Sequence, residues 1–251
     1  MEQTLADVPD GNAWLSPSEA DELSAKRFAK RRRDWLLGRW TAKNAAALCL
    51  GIAKDLQALG EIEIRSKPSG APEVFLRNEP APVTISLSHR AGMGACCIAP
   101  SHVLLGCDLE TIEPHGDAFA ADYFTVEEQM FVAKTEPTNR LSLLALFWSG
   151  KESALKALCK GLQLDTRSVL VSLRGMPEYQ DEIARKPTRP TVLSVQYSSE
   201  FTGWNPLQVR AVIGQTFHGW WSQTGHLVRT VVSDPPPDPP ILLAQQGCLV
   251  C

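Results

Sequence analysis

The chain has 251 residues, of which 44% are hydrophobic and 21% are charged, and its formal net charge is −3. This length and composition are typical of a globular protein with one large domain or two small ones. The small negative charge excludes a general electrostatic attraction to nucleic acid or to an acidic membrane, so we expect neither as a partner.

Seven scattered cysteines, an odd number, predict reduced thiols rather than a disulfide framework, and hence a cytoplasmic protein. No CxxC pair is followed by a second pair or by paired histidines, so no zinc site is predicted. The first ten residues are acidic and have no apolar region of the kind that signal peptides contain. No apolar run is long enough to span a bilayer.

The first predicted helix begins at the tetrapeptide Ser16-Pro17-Ser18-Glu19. Ser16 can cap the helix, Pro17 suits the first helical position, and Glu19 completes a capping box. The sequence predicts helix from there to about Leu59, with a break near Lys30 and a stop at the following glycine.

A basic stretch lies within this helical region. Its members are Lys26, Arg27, Lys30, Arg31, Arg32, Arg33, Arg39 and Lys43. Such a stretch is usually a solvated helix face, but Trp35 and Trp40 lie within it and indicate that part of the helix faces a core. A few cations on one face suit a small polyphosphate better than a long nucleic-acid track.

Strands are predicted next, over residues 61–65, 83–88, 94–98 and 102–110, with a loop rich in proline and glycine over residues 66–72. The second of these strands ends in Ser88-His89. A single histidine is most often structural. At a strand end, however, the Ser88 hydroxyl and the His89 imidazole are both available to donate to a phosphate.

Asp108 and Glu110 alternate with apolar residues on the last of these strands, so the two carboxylates share one face. Taken alone, the pair is typical of a solvent-exposed strand face. The apolar residues between and beside them favour a central strand instead, where two neighbouring carboxylates need a cation or a proton between them. Magnesium, which one or two carboxylates hold together with substrate phosphates, fits that need.

A second helical region is predicted over residues 126–162. Its apolar stripe, with Lys151 at the edge, consists of Leu144, Trp148, Leu155 and Leu158. Glu152 and Lys156 are one turn apart, which permits a plain surface ion pair. The functional alternative makes Glu152 a third metal ligand or a base, and Lys151 and Lys156 phosphate contacts.

Further strands are predicted over residues 168–173, 191–197, 208–213 and 227–232. Helix followed by strands, twice over, predicts two similar α+β halves, residues 1–115 and 116–233. The proline-rich residues 234–251 predict a disordered or polyproline tail. The terminal Cys248-Leu249-Val250-Cys251 fits neither a prenylation box nor a redox motif well, so we expect a flexible, dispensable extension.

Together these motifs resemble the 4′-phosphopantetheinyl transferases of the surfactin-synthetase-activating type, over about residues 27–162. Gly106-Cys107-Asp108-Leu109-Glu110 matches the family's Gly-x-Asp-x-Glu strand, and Trp148 to Lys156 matches its Trp/Phe-x-x-Lys-Glu-Ser/Ala-x-x-Lys helix. Upstream, the matches are Ser88-His89, the loop Lys67-Pro68-Ser69-Gly70-Ala71-Pro72, and the helix motif from Leu36 to Lys43. Each of these five motifs is weak alone, but together, in the family's order, they make a strong resemblance.

The resemblance implies roles for individual residues. Magnesium would be held by Asp108, Glu110 and Glu152, with Glu152 also near the attacking serine. The pyrophosphate of coenzyme A would contact Lys156 and Lys151. The other coenzyme A contacts would be Arg27, Lys30, Lys43, Ser88 and His89 for its phosphates, and Lys67 and Pro68 for its adenine. Lys43 departs from the arginine of many members, and Ala71 and Cys107 also depart from the usual residues.

The resemblance further implies an α+β fold of two similar halves in a pseudo-twofold arrangement, with the active site in the cleft between them. The implied reaction moves the 4′-phosphopantetheine arm of coenzyme A, with Mg²⁺, onto a serine of an apo acyl or peptidyl carrier protein. The partners are then that carrier protein and coenzyme A, and a monomer is expected.

Two other classes of function fit the same residues. One is a magnesium-dependent phosphohydrolase that uses water as the nucleophile. The other is a non-catalytic module that binds coenzyme A or a carrier protein. The intact acids at all three predicted metal positions argue against the second class.

Overall fold

A computed structural model describes residues 1–116, 118–160, 164–176, 203–241 and 243. Within these residues the chain is an α+β protein, with α-helices packed against antiparallel sheets. No helix among them is both long enough and apolar enough to cross a membrane.

The N-terminal helical region begins as predicted. Ser16 Oγ accepts a hydrogen bond from the Glu19 backbone N–H at 3.3 Å, and the Glu19 carboxylate accepts one from the Ser16 N–H at 3.0 Å. The region is three helices rather than two: α1 (Pro17–Ala25), α2 (Ala29–Cys49) and α3 (Leu56–Gly60). The first break falls close to the one predicted near Lys30. The second was not predicted and includes Gly51, whose φ of +66° is incompatible with a helix.

Two three-stranded antiparallel sheets follow in this half. One consists of β2 (Ile62–Ser66), β3 (Pro72–Leu76) and β4 (Glu79–Pro80). The other has the order β1–β6–β5 and consists of β1 (Glu2–Thr4), β5 (Val83–Arg90) and β6 (Met93–Pro100). The strands predicted over residues 61–65, 83–88 and 94–98 are confirmed, whereas β1, β3 and β4 were not predicted.

A five-stranded antiparallel sheet has the order β7–β11–β10–β9–β8. Its strands are β7 (Leu104–Thr111), β8 (Val169–Leu173), β9 (Asn205–Ala211), β10 (Thr216–Thr224) and β11 (Leu227–Asp234). Strand β10 was not predicted, and the strand predicted over residues 191–197 lies outside the described residues. Because β7 pairs with β11, this sheet includes a strand from before the predicted boundary near Gly116. That boundary stays a prediction.

The helices of the second half are α4 (Phe119–Tyr123), α5 (Val126–Lys134) and α6 (Pro137–Ala157). The single helix predicted over residues 126–162 is therefore two, because Pro137 begins a new helix and the two preceding residues are extended. Helix α6 packs on the five-stranded sheet, and its buried residues join a large apolar core with β8, β9 and β11.

Gly106 on β7 makes a close approach to α6 possible. A Cβ at this position would lie 1.8 Å from the Ser153 carbonyl oxygen, a distance that no side chain can adopt. Strand and helix backbones are therefore in direct contact here. The residues that follow Gly106 on β7 are held beside the last turns of α6 as a result.

In each half a long helix packs against an antiparallel sheet: α2 lies on the first half's core and α6 on the second's. A smaller cluster of Leu105, Cys107 and Val231, with Cys97 packed against it, joins β6 to the five-stranded sheet. The pseudo-twofold relation between the halves stays a prediction.

The proline-rich stretch, predicted as a disordered or polyproline tail, contacts the rest of the chain through its first residues. Ser233 Oγ donates to the Pro235 carbonyl at 2.7 Å, and Trp220 Nε1 donates to the Pro237 carbonyl at 3.0 Å. Leu243 packs against the core of the N-terminal half. Polyproline backbone exposes its carbonyls, so it can dock by accepting such bonds. The terminal Cys248 and Cys251 lie outside the described residues.

Candidate active site

Strand β5 holds β7 through side chains. Ser86 Oγ accepts a hydrogen bond from the Cys107 backbone N–H at 2.9 Å, and Ser88 Oγ accepts one from the Leu109 N–H at 3.1 Å. The two serines are two residues apart on one strand face, and so are their partners on the other strand. These two bonds tie β7 to β5, and Asp108 lies between the two anchored N–H groups.

Asp108 is the centre of the site and is only 7% exposed. Its Oδ1 accepts hydrogen bonds from Ser88 Oγ and from Lys156 Nζ, each at 2.8 Å. Its Oδ2 is buried and has no hydrogen-bond partner. A buried carboxylate oxygen without a partner is unfavourable unless a cation or a proton occupies it.

Lys156 lies at the C-terminal end of α6 and reaches back to β7. Besides Asp108, its ammonium donates to the Cys107 carbonyl at 3.1 Å. Burial alone would lower the pKa of Lys156, but attraction to Asp108, Cys107 and Glu152 outweighs burial and raises it. The amine is therefore charged at neutral pH and compensates the acids around it.

Glu152 lies one turn before Lys156 on α6 and is partly buried. Burial raises its pKa, and so do the negative charges of Asp108 and Glu110, while Lys156 lowers it. A carboxylate held near two others is suited either to share a cation or to accept a proton. The effect of Asp108 and Glu110 on the pKa of Glu152 is consistent with the sequence prediction that the three acids lie close together.

Glu110, which is 8% exposed, faces Arg90 at the end of β5. Arg90 Nε lies 2.8 Å from Glu110 Oε1, and Arg90 also pairs with Glu113. Burial raises the pKa of Glu110, and the charges of Asp108 and Glu113 add to that effect against Arg90. Sequence reasoning missed Arg90. The alternation of Ser86, Ser88 and Arg90 on one strand face is the signal that could have found it.

The acids do not form a complete metal cage. Within the part of the chain that the structure describes, no three His, Cys, Asp or Glu side chains converge as a metal-binding group. Magnesium does not require such a cage, because it commonly takes one or two protein carboxylates and completes its shell with waters and substrate phosphates. The unpartnered Asp108 Oδ2 and the mutual repulsion of the three acids fit a hard divalent cation.

A cavity of about 600 Å³ lies beside this cluster, between α2 and the end of β5. Its lining includes Ser88 and His89 and four cations, Lys26, Arg27, Arg31 and Arg39, beside Asp34 and several apolar residues. Of the predicted phosphate contacts, Arg27 and His89 are therefore placed together. Lys30 lies on α2 and is exposed without lining the cavity.

A second cavity, of about 420 Å³, lies under the proline–glycine loop. Lys67 and Lys156 both line it, so the predicted adenine and pyrophosphate contacts share one space. Pro68 follows Lys67 in the loop and is exposed without lining the cavity. Arg39 lines both cavities, which makes it the junction between them. Sequence reasoning placed Arg39 in the basic run but assigned it no role.

Lys43 does not reach either cavity. It is fully buried, pairs with Glu19, and donates to the Trp14 and Leu59 carbonyls at 2.8 and 3.2 Å. Burial lowers its pKa, and Glu19 opposes that effect. The predicted phosphate contact of Lys43 is therefore wrong in this structure: the amine ties α2 to the N-terminal core.

Lys151 also has a structural role. It does not lie at the edge of the apolar stripe as predicted. It is fully buried, with its ammonium 2.8 Å from Glu128 and donating to the Thr166 carbonyl at 2.9 Å. Burial lowers the pKa of Lys151, against the attraction of Glu128. The predicted pyrophosphate contact of Lys151 is wrong, because the side chain points away from Glu152, its neighbour in sequence, and into the second half's core.

Comparison with known protein families gives one match. The sequence model of the 4′-phosphopantetheinyl transferase superfamily matches residues 104–201, which begin at β7 and include Asp108, Glu110, Glu152 and Lys156. The match covers less than half of the chain and does not include the first cavity or the Ser88-His89 strand end. A search of curated proteins found no match.

Proposed function

We propose that this protein transfers the 4′-phosphopantetheine arm of coenzyme A to a serine of an apo carrier protein. The observation that carries the proposal is the juxtaposition at Asp108. One of its oxygens is held by Lys156 and Ser88, the other is buried and free, and two cavities lined in part by cations lie alongside. The superfamily match over this strand and helix supports the reaction class.

Magnesium is the cofactor we propose, held by Asp108 and Glu152 with Glu110 as the third acid. The unpartnered Asp108 oxygen and the raised pKa values of the two glutamates indicate a place where added positive charge is favourable. When bound, the ion supplies neutralisation of phosphate charge and a fixed orientation for the pyrophosphate.

Coenzyme A would lie across both cavities. Arg27 and His89 would bind its 3′-phosphate and Lys67 would contact the adenine, while Lys30 and Pro68, which line neither cavity, are given no contact. Lys156, which reaches both Asp108 and the second cavity, would donate to the pyrophosphate. Arg39, at the junction of the cavities, is the further cation that this placement brings to the substrate.

In the proposed reaction the serine hydroxyl of the carrier attacks the β-phosphate of coenzyme A. Glu152 accepts the hydroxyl proton, a role for which a carboxylate with a raised pKa is better suited than an ordinary one. The bond between the β-phosphate and the bridging oxygen breaks, and 3′,5′-adenosine bisphosphate leaves with that oxygen. Lys156 stabilises the charge that develops there, and the rest of catalysis is positioning.

Measurement of the products distinguishes this reaction from phosphohydrolysis. Coenzyme A and Mg²⁺ are incubated with the protein, with and without an apo carrier, and adenosine bisphosphate is measured. We expect its release only with the carrier, in equal amount to the carrier modified. Release with coenzyme A alone would instead identify a hydrolase that uses water. Asp108→Ala and Glu152→Ala should each abolish the release while the protein stays folded.

A further inference from the structure

We infer that Ser88 is a positioning residue for the metal site: its hydroxyl fixes the Asp108 carboxylate so that Oδ2 stays free for the cation. The inference rests on the metal assignment of the proposed function and adds a role that the sequence did not indicate. It replaces the expectation that Ser88 donates to a phosphate.

The hydrogen bonds of Ser88 leave its hydroxyl no proton for a phosphate. A serine hydroxyl has one donor hydrogen. Here Oγ donates that hydrogen to Asp108 Oδ1 at 2.8 Å and accepts from the Leu109 N–H at 3.1 Å. The residue is only 9% exposed, so neither bond is readily exchanged for water.

The orientation of Asp108 depends on two donors that converge on one oxygen. Lys156 approaches Oδ1 from α6, and Ser88 approaches it from β5. With both present, rotation of the carboxylate would break two hydrogen bonds, so Oδ2 is kept without a protein partner. Without the serine, one flexible lysine remains, and the carboxylate can turn until both oxygens face the ammonium, which leaves neither free for a cation.

Such outer contacts have measurable effects on metal affinity. Hydrogen bonds to a ligating carboxylate orient it, and their removal typically weakens metal binding by about 10- to 100-fold. Arg90 makes the corresponding contact with Glu110, so β5 orients both acids of β7 from one face. The contact of Ser88 is the more specific of the two, because it puts a second donor on Asp108 Oδ1 and leaves Oδ2 unpaired.

The chain provides a matched control two residues away. Ser86 lies on the same strand and face, is also buried, and accepts from the Cys107 N–H at 2.9 Å as Ser88 does from the Leu109 N–H. Ser86 contacts Cys107 rather than Asp108. Alanine at either position therefore removes one serine-to-backbone bond between β5 and β7, and only Ser88→Ala removes the bond to the carboxylate.

The test is binding of Mn²⁺, which carboxylate sites accept in place of Mg²⁺ and which electron paramagnetic resonance counts directly. We expect Ser88→Ala to bind Mn²⁺ about 10-fold or more weakly than wild type. Ser86→Ala should bind as wild type does, and Ser88→Thr, which keeps a hydroxyl, should recover most of the affinity. Both alanine variants should lower the melting temperature, Ser88→Ala by more, because it also loses a bond to a buried carboxylate.

The inference would be overturned if Ser88→Ala and Ser86→Ala bound Mn²⁺ with equal affinity, whether both matched wild type or both bound it more weakly. Failure of the wild type to bind Mn²⁺ would overturn it together with the metal assignment. Mn²⁺ binding that depends on Ser88 in a protein that modifies no carrier would uphold the inference and contradict the proposed transferase reaction. The two conclusions are thus tested separately.

Discussion

At the scale of single residues, burial decides which charged groups reach a cavity. Three lysines near the motifs have similar sequence surroundings, yet Lys43 and Lys151 are fully buried against glutamates, and only Lys156 faces a cavity. The motif spacing of α6 predicts that Lys156 and Glu152 lie on one side of the helix. It does not predict Glu128, a partner 23 positions before Lys151, because that contact depends on how α5 packs.

Glu152→Gln should separate the electrostatic role of this acid from its chemical role. A carboxyl whose pKa is raised holds its proton more tightly in the folded state, so wild-type stability falls as the pH rises above the ordinary value of 4.5. Glutamine does not ionise, so the variant does not lose stability in this way. Its melting temperature should therefore exceed that of wild type by an amount that grows from about pH 4 to pH 7. Added Mg²⁺ should stabilise wild type and not the variant. A variant less stable than wild type at pH 7 would contradict this prediction.

Lys156→Ala should lower kcat by about 10²-fold or more, because lost charge stabilisation at a phosphate has effects of that size. Steady-state kinetics and a melting curve measured together check the prediction. A plain surface pair with Glu152 predicts instead a stability change of a few tenths of a kcal/mol and an unchanged rate. An unchanged kcat would therefore return Lys156 to a structural role.

Lys43→Met should lower stability and leave catalysis unchanged, whereas Lys156→Ala should lower kcat. Removal of the lysine takes the nearer of two cations from the buried Glu19 carboxylate and leaves Arg39 at 3.7 Å, and breaking a buried pair destabilises by about 3–5 kcal/mol. Denaturant unfolding measures this effect, and the KM for coenzyme A of the folded protein should be unchanged. A raised KM with normal stability would place Lys43 back among the phosphate contacts.

At the scale of elements, the distance between β7 and α6 determines the site. Sequence periodicity predicts both elements and the faces of their acids, since alternation and helical spacing are local properties. The direct contact at Gly106 and the hydrogen bonds of Ser86 and Ser88 with β7 are not local. They depend on which strand lies against β7, and a sequence without its fold does not specify that pairing.

Gly106→Ala should disrupt this contact. The new methyl group would lie 1.8 Å from the Ser153 carbonyl, so β7 and α6 must separate, at a cost of about 1–3 kcal/mol or more. Transfer should be lost with it, because Asp108 and Lys156 move apart. Gly116→Ala, where an added Cβ meets nothing within 4 Å, is the matched control and should behave as wild type. Full activity in Gly106→Ala would show that the close approach is dispensable.

At the scale of the whole molecule, the two halves are joined by contacts that the sequence pattern did not predict. Arg229 on β11 pairs with Glu2 on β1, and Leu243 packs against the first half's core. Composition predicted that the proline-rich stretch stays apart, because proline is rare in cores. Composition does not predict hydrogen bonds to backbone carbonyl groups. Residues 235–237 contact Ser233 and Trp220 through such bonds.

Deletion of residues 235–251 should therefore lower the melting temperature. The two hydrogen bonds that it removes contribute about 0.5–1.5 kcal/mol each. Trp220→Phe removes one of them, so the deletion should have a smaller effect in that background than in wild type. Ile241→Ser is the control, because Ile241 is 86% exposed. An unchanged melting temperature after the deletion would restore the expectation of a dispensable tail.

The most direct test of the central claim is mass spectrometry of a panel of apo acyl and peptidyl carrier proteins after incubation with this protein, coenzyme A and Mg²⁺. The account predicts that at least one carrier gains the mass of a single phosphopantetheine group on its serine. The gain should disappear when the metal is chelated and in Asp108→Ala. If no carrier in the panel gains that mass, or if the gain persists in Asp108→Ala, the proposed reaction at this site is contradicted.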